Sequence, residues 1–158
     1  MKNILFVCTT LFPYTTLFRS SCMAEAIFNS LCDMEYIKAI SAGVAVVEGS
    51  VTSKNSAEVV KQNINLDISS RKAVQINEDM IRKSRLILTM TGYIRDIIKK
   101  SFPEFKNRVY TLSEFVSLDQ DITDPFGKSI NEYKNTYKQL ENGISLLINK
   151  LKEDRDIN

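Results

Sequence analysis

No histidine occurs anywhere in the 158 residues. That absence removes Ser-His-Asp and Cys-His catalysis, histidine-ligated zinc hydrolysis and imidazole acid-base chemistry together. A nucleophile in this chain must therefore be activated by its local field, with a carboxylic acid as the proton donor. Cysteine is scarce. Cys8, Cys22 and Cys32 form neither a paired framework nor a Cys-x-x-Cys unit, which points to reduced thiols in a reducing compartment. No stretch approaches the roughly 20 apolar residues of a spanning helix. The apolar run after Met1-Lys2-Asn3 stops at Cys8, too early for a signal peptide's apolar region and cleavage site. A cytoplasmic protein with no membrane partner is expected. Lys and Arg are scattered, the net charge is +2 and the pI is near 8.4, so no nucleic-acid partner is expected either. A small anionic ligand remains compatible with that balance, and neither a metal nor a cofactor is called for.

What is present reads as one domain spanning residues 1–158: 44% hydrophobic and 25% charged residues supply a core large enough to fold unaided. Four short β-rich runs, Ile4 to Val7, Tyr36 to Ser41, Leu86 to Met90 and Val109 to Leu112, alternate with helical patterns. Met23, Ala26, Ile27 and Leu31 make one apolar helix face, and Ala57, Val60 and Ile64 make another. Asp79 to Ser84 and Ile94 to Phe102 read as further helical pieces, the second stopped by Pro103. In the last helix Ile130, Tyr133, Tyr137, Leu140, Ile144, Leu147 and Leu151 recur at alternating steps of three and four, which makes both tyrosines core residues. Strands separated by helices predict a small doubly wound, flavodoxin-like α/β fold: a four-stranded parallel sheet with helices on both faces.

Ligands of such sheets bind beyond the carboxyl ends of the strands, near the switch in strand order. Cys8 ends the first predicted strand. A lone buried cysteine is usually an inert small hydrophobe, but one at a strand-to-helix turn faces free N–H groups and a helix dipole that favour a thiolate and bind oxyanions. Ser21 is a candidate N-cap for the following helix and could donate a hydrogen bond to that thiolate.

The residues around this turn carry a resemblance. Ile4 to Thr9, Ser21 to Phe28, Ser41-Ala42-Gly43, Leu66-Asp67-Ile68-Ser69, Leu86 to Thr91 and Asp124-Pro125-Phe126-Gly127 together resemble the low-molecular-weight phosphotyrosine-type phosphatases, whose signature is Cys-x5-Arg-Ser after the first strand. The Asp-Pro-Phe-Gly loop, Ser129-Ile130 and the Tyr133 helix look most like the bacterial protein-arginine phosphatases. The resemblance implies Cys8 as nucleophile passing through a phosphocysteine, and Asp124 as the acid that protonates the leaving group and then deprotonates water. It implies a signature Arg clamping two phosphate oxygens, for which Arg19 is the candidate. Thr9, Ser21 and Phe126 are implied in substrate binding. The partners it implies are a phosphorylated protein and inorganic phosphate or another oxyanion, met by a monomer.

One segment departs from the family. Ten residues separate Cys8 from Arg19 where the signature has five. A loop around one phosphate has room for about six inward N–H groups; Pro13 offers none, and the family's loop glycine is absent. The family Arg lies three residues before the Met of Ser-x-Met-Ala-Glu, whereas Arg19 lies four before Met23. Arg19-Ser20 thus mimics the motif out of register, and Thr10 to Ser20 replaces five family residues, the true Arg among them. That segment, Thr-Leu-Phe-Pro-Tyr-Thr-Thr-Leu-Phe-Arg-Ser, resembles the in-frame translation of a common sequencing-adapter oligonucleotide. A natural insertion is the alternative. The interruption predicts impaired catalysis by the chain as written.

Two other readings fit less well. Arsenate reduction on the same scaffold needs resolving cysteines far down the chain, and none follows Cys32. A catalytically inactive flavodoxin-like binding domain could use Thr9, Thr10, Thr15 and Thr16 around a flavin phosphate, but has no use for Asp124-Pro125. Gly127-Lys128-Ser129 fails as a nucleotide-triphosphate loop because Ile122 stands where glycine is required. Cys22 and Cys32 read as helix-face packing residues.

Overall fold

The structure is a computed structural model in which residues 2–8 and 17–157 are described. Its main sheet has four parallel strands in the order β3-β1-β5-β6, where β1 is Lys2–Cys8, β3 Ile37–Gly43, β5 Ser84–Thr89 and β6 Val109–Thr111. These are the four strands expected from sequence. β1 is central, pairing β3 on one side and β5 on the other. The chain leaves β1 for one edge and returns past it to the other, so β1 is the switch in strand order. A second pair, β2 (Leu17–Phe18) with β4 (Val51–Thr52), is also parallel and was not expected.

β1 is an unbroken apolar run because it is covered on both faces: Ile4, Leu5, Phe6 and Val7 are completely buried. Its side chains alternate between two cores. Ile4, Phe6 and Cys8 join α1 (Ser20–Leu31), α2 (Lys54–Ile64) and the long α6 (Ile130–Ile157), while Leu5 and Val7 join α3 (Glu78–Lys83) and α4 (Gly92–Ser101). On α6, Tyr133, Tyr137, Leu140, Ile144, Leu147 and Leu151 are all buried, as their periodicity required. Leu31 departs from its expected place in the apolar face of α1: it is the last helical residue and is 44% exposed.

Helix ends follow local chemistry. Ser53 caps α2 by accepting from the Ser56 N–H, and Thr91 caps α4 by accepting from that of Ile94. Pro103 ends the α4 segment and opens a 3-10 turn, Pro103–Arg108. The strand expected to run to Leu112 stops at Thr111, because Thr111 and Glu114 form a capping box that starts the short α5 (Leu112–Phe115). The Thr-x-x-Glu spacing that signals it is legible in the sequence.

Phe28 on α1 is fully buried and meets the ring of Phe6 edge-on, with centroids 6.2 Å apart. Phe28→Ala is expected to lower the unfolding free energy by about 3–5 kcal/mol, measured by urea titration. A loss below about 1 kcal/mol would show that this α1–β1 contact is not structural core.

Candidate active site

Cys8 is the last residue of β1 and is 5% exposed, opposite Gly43 in the parallel register. Its Sγ lies 2.8 Å from Ser21 Oγ, a fully buried hydroxyl in the first turn of α1. The helix begins at Ser20 with Arg19 in the cap position and no side-chain cap bond, so Ser21 is inside the helix and not its N-cap. It is therefore Ser21, and not Ser20, that meets the sulfur. The start of α1 is held against the sheet by Glu25. Arg71 donates to both Glu25 oxygens, Nε to Oε1 at 3.1 Å and Nη2 to Oε2 at 2.8 Å, and Ser41 Oγ on β3 donates to Oε2 at 2.5 Å. These bonds keep the Arg71 pKa raised despite partial burial.

Arg19 is 4% exposed, and its guanidinium is forked onto Asp124: Nε donates to Oδ1 and Nη2 to Oδ2, both at 3.0 Å. Cζ of Arg19 also sits 4.8 Å from the centre of the Phe126 ring, a cation–π contact. The Phe126 N–H donates to Asp124 Oδ1 at 3.1 Å, folding the Asp-Pro-Phe turn around the carboxylate. Both carboxylate oxygens thus act as acceptors here, and Asp124 is 39% exposed.

Cys8, Arg19 and Asp124 line one small cavity of about 40 Å³ together with Ser20, Met90, Thr91, Ile94 and Ile122. That is room for a few waters. Of the sequence-predicted site residues, the structure gathers Cys8, Ser21, Arg19, Asp124 and Phe126, while Thr9 lies outside the described residues. No site role was assigned from sequence to Met90 and Thr91. Their signal was position: they follow β5, which neighbours β1, at the same carboxyl edge of the sheet. Cys22 takes the packing role expected of it, fully within the core, with its thiol donating to the Arg19 carbonyl at 2.7 Å. Burial and the neighbouring Cys8 push its pKa upward.

Among the described residues, no group of three or more His, Cys, Asp or Glu side chains could hold a metal ion. No helix among them is long and apolar enough to cross a membrane.

The family model of the low molecular weight phosphotyrosine protein phosphatases matches residues 3–157. The chain belongs to that family. A protein-arginine-phosphatase of Bacillus subtilis is 34% identical to it, covering 97% of this chain and 99% of the relative. The crystal structure of a low molecular weight protein tyrosine phosphatase from T. tengcongensis superposes with a TM-score of 0.86 at 33% identity, covering 95% of this chain and 99% of that one. A Cys-to-Ser mutant of the YwlE arginine phosphatase with a phosphorylated active site serine also superposes at 0.86, with 30% identity and 99% coverage of both chains.

In this member of the family the sulfur of Cys8 is poorly set up for ionisation. Burial pushes its pKa up, outweighing the Ser21 hydrogen bonds and the Arg19 charge, which pull it down. The neutral thiol is then the dominant form at pH 7, and the reactive thiolate grows as pH rises. Iodoacetamide labelling of Cys8, followed by peptide mass mapping, should therefore inflect above the free-thiol value of about 8.5. An inflection at or below pH 7 would contradict this account of the pocket.

Proposed function

We propose that this chain derives from a cytoplasmic phosphoprotein phosphatase, working as a single domain and a monomer, that hydrolyses phosphoarginine or phosphotyrosine, and that the chain as written is catalytically impaired. The observation that carries the reading is that Cys8 and Asp124 line one cavity at the strand-order switch, with Ser21 hydrogen-bonded to the Cys8 sulfur, in a chain of this family. The Bacillus subtilis relative, a protein-arginine-phosphatase matched over nearly its full length, supports phosphoarginine first. Phosphotyrosine is the second reading, supported by the tyrosine phosphatase of like fold and identity.

The chemistry follows from the residues. The Cys8 thiolate attacks phosphorus in line, forming the P–S bond as the leaving oxygen or nitrogen departs with the Asp124 proton. Asp124, now a carboxylate, takes a proton from water as that water breaks the P–S bond and releases inorganic phosphate. The phosphorylated serine of the YwlE mutant is the corresponding covalent state on a serine oxygen. No cofactor or metal enters this sequence of steps.

Impairment follows from two features. Ten residues, one of them Pro13, stand where five should wrap the phosphate. Arg19, the available cation, is spent on Asp124, so the clamp and the acid satisfy each other in place of a substrate. Losing a single oriented donor to a developing anion costs about 10²–10³ in kcat, and Pro13 removes one N–H from this loop outright. The adapter-like character of Thr10 to Ser20 fits an interruption of the gene record, and re-amplifying the locus and sequencing it by a different chemistry decides that point. Recovery of the same codons would establish a natural insertion.

The chain as written should hydrolyse p-nitrophenyl phosphate near background. Replacing Thr10 to Ser20 with Gly-Asn-Thr-Cys-Arg should raise kcat/KM at least about a hundredfold, and Cys8→Ser in the repaired chain should abolish it. Strong activity of the unrepaired chain that Cys8→Ser removes overturns the impairment. A folded but inactive repaired chain overturns the phosphatase reading itself.

A further inference from the structure

Asp124 lies on a segment between α5 and α6 that has no regular structure from Leu118 to Pro125. What holds this segment is a short set of hydrogen bonds. On the sheet side, the Ile122 N–H donates to the Met90 carbonyl at 3.1 Å, and Asp121 Oδ2 accepts the Gly92 N–H at 2.9 Å. On the helix side, all three polar groups of Thr123 are bonded to α6. The Thr123 N–H donates to Gln139 Oε1 at 3.0 Å, Gln139 Nε2 donates to Thr123 Oγ1 at 3.1 Å, and Thr136 Oγ1 donates to the Thr123 carbonyl at 3.1 Å. Thr136 is 1% exposed, so the donor side of its bond is buried, while Thr123 itself is exposed. Ile122 is buried in the core, while a cavity of about 290 Å³ opens between residues 118–122 and α6, lined in part by Gln139 and Asn142.

We propose that Thr136 and Gln139 are positioning residues for the proton donor: by holding Thr123 from α6, they set how Asp124 enters the cavity containing Cys8. The proposal rests on the reading of Asp124 as the acid. The mechanism is geometric. Thr123 directly precedes Asp124, and its backbone is fixed at both the N–H and the carbonyl, which leaves little freedom in the peptide that carries the carboxylate. Proton transfer needs the donor within hydrogen-bond reach of the leaving atom, and a displacement of about 1 Å can cost on the order of a hundredfold.

Two measurements test this. In the chain as written, the Arg19 Nε–H bonded to Asp124 reports on the carboxylate by NMR. Its exchange with solvent should quicken about tenfold in the Thr136→Val, Gln139→Leu double variant, as expected for losing local hydrogen bonds, with the Leu88 amide in the sheet core unchanged. In the loop-repaired chain, an acid catalyst matters most for a poor leaving group. The double variant should lose about tenfold in kcat/KM on phenyl phosphate and less than about twofold in kcat/KM on p-nitrophenyl phosphate, because kcat/KM reports leaving-group departure and not the later hydrolysis of the P–S bond. Thr136→Ser, which keeps the donor, should behave as the parent. Unchanged Arg19 Nε–H exchange overturns the proposal, as does a double variant without leaving-group bias where Asp124→Asn shows one. If Asp124→Asn itself shows no such bias, the reading of Asp124 as the acid fails instead.

Discussion

Everything in this molecule is referred to a single strand that has no solvent-facing side. Residues 4–7 of β1 are wholly buried, and their alternate side chains anchor two separate cores, one against α1, α2 and α6 and one against α3 and α4. A strand in that position can place a side chain at its carboxyl end with little positional freedom, because both neighbouring strands and both helical layers fix it. Cys8 inherits that rigidity. It also inherits the dry surroundings, and for a thiol these are a disadvantage, since burial favours the neutral form. The same constraint that locates the Cys8 sulfur therefore makes its ionisation depend on whatever donors the neighbouring segments supply. Ser21 is one such donor, set in place by the first turn of α1 and, behind it, by the Glu25–Arg71–Ser41 network.

The second organising feature is an exchange of partners. A guanidinium that is almost wholly buried cannot be left uncompensated, and in the described structure the compensation comes from Asp124, in a two-point fork backed by the Phe126 ring. The fork presents a carboxylate in the planar, two-oxygen geometry in which a guanidinium grips a phosphate. An anion binding at Arg19, as the proposed function requires, would compete with an internal one already in position. The pair that ties residue 19 to residue 124 is a good structural contact, and under the proposed function it occupies the acid and the cation together.

Much of this was legible in the residues. The four strands of the main sheet, the helical layers and the place of Cys8 follow from runs of β-branched and apolar residues, from three-and-four spacing and from the rule for strand ends. The signature of the family survives on both flanks of the interruption, in Ile4 to Thr9 and in Met23-Ala24-Glu25. What was not legible depends on long-range geometry. The contact of Ser21 with the Cys8 sulfur was legible, but its reading as the helix cap was not right, because the helix starts one residue earlier with Arg19 in the cap position. The fork between Arg19 and Asp124 has no local signal, because two opposite charges far apart in the chain announce nothing until the fold brings them together. The short β2–β4 pair is two residues long on each side, below what any periodicity can reveal. The capping box at Thr111 was the opposite case, written plainly in a Thr-x-x-Glu spacing but masked by the β-rich run before it.

The separation of the site's two ends carries a consequence for biogenesis. The fork closes a loop of 105 residues, and the loop-closure entropy of such a contact grows only slowly with length. The harder requirement is order: Asp124 is placed from two sides, by Ile122 bonded to Met90 beyond β5 and by Thr123 bonded to α6. During synthesis the chain emits Cys8 early and Asp124 late, so the sulfur is made long before the carboxylate that shares its cavity. The cavity beside Cys8 is therefore complete only in a chain made past residue 124.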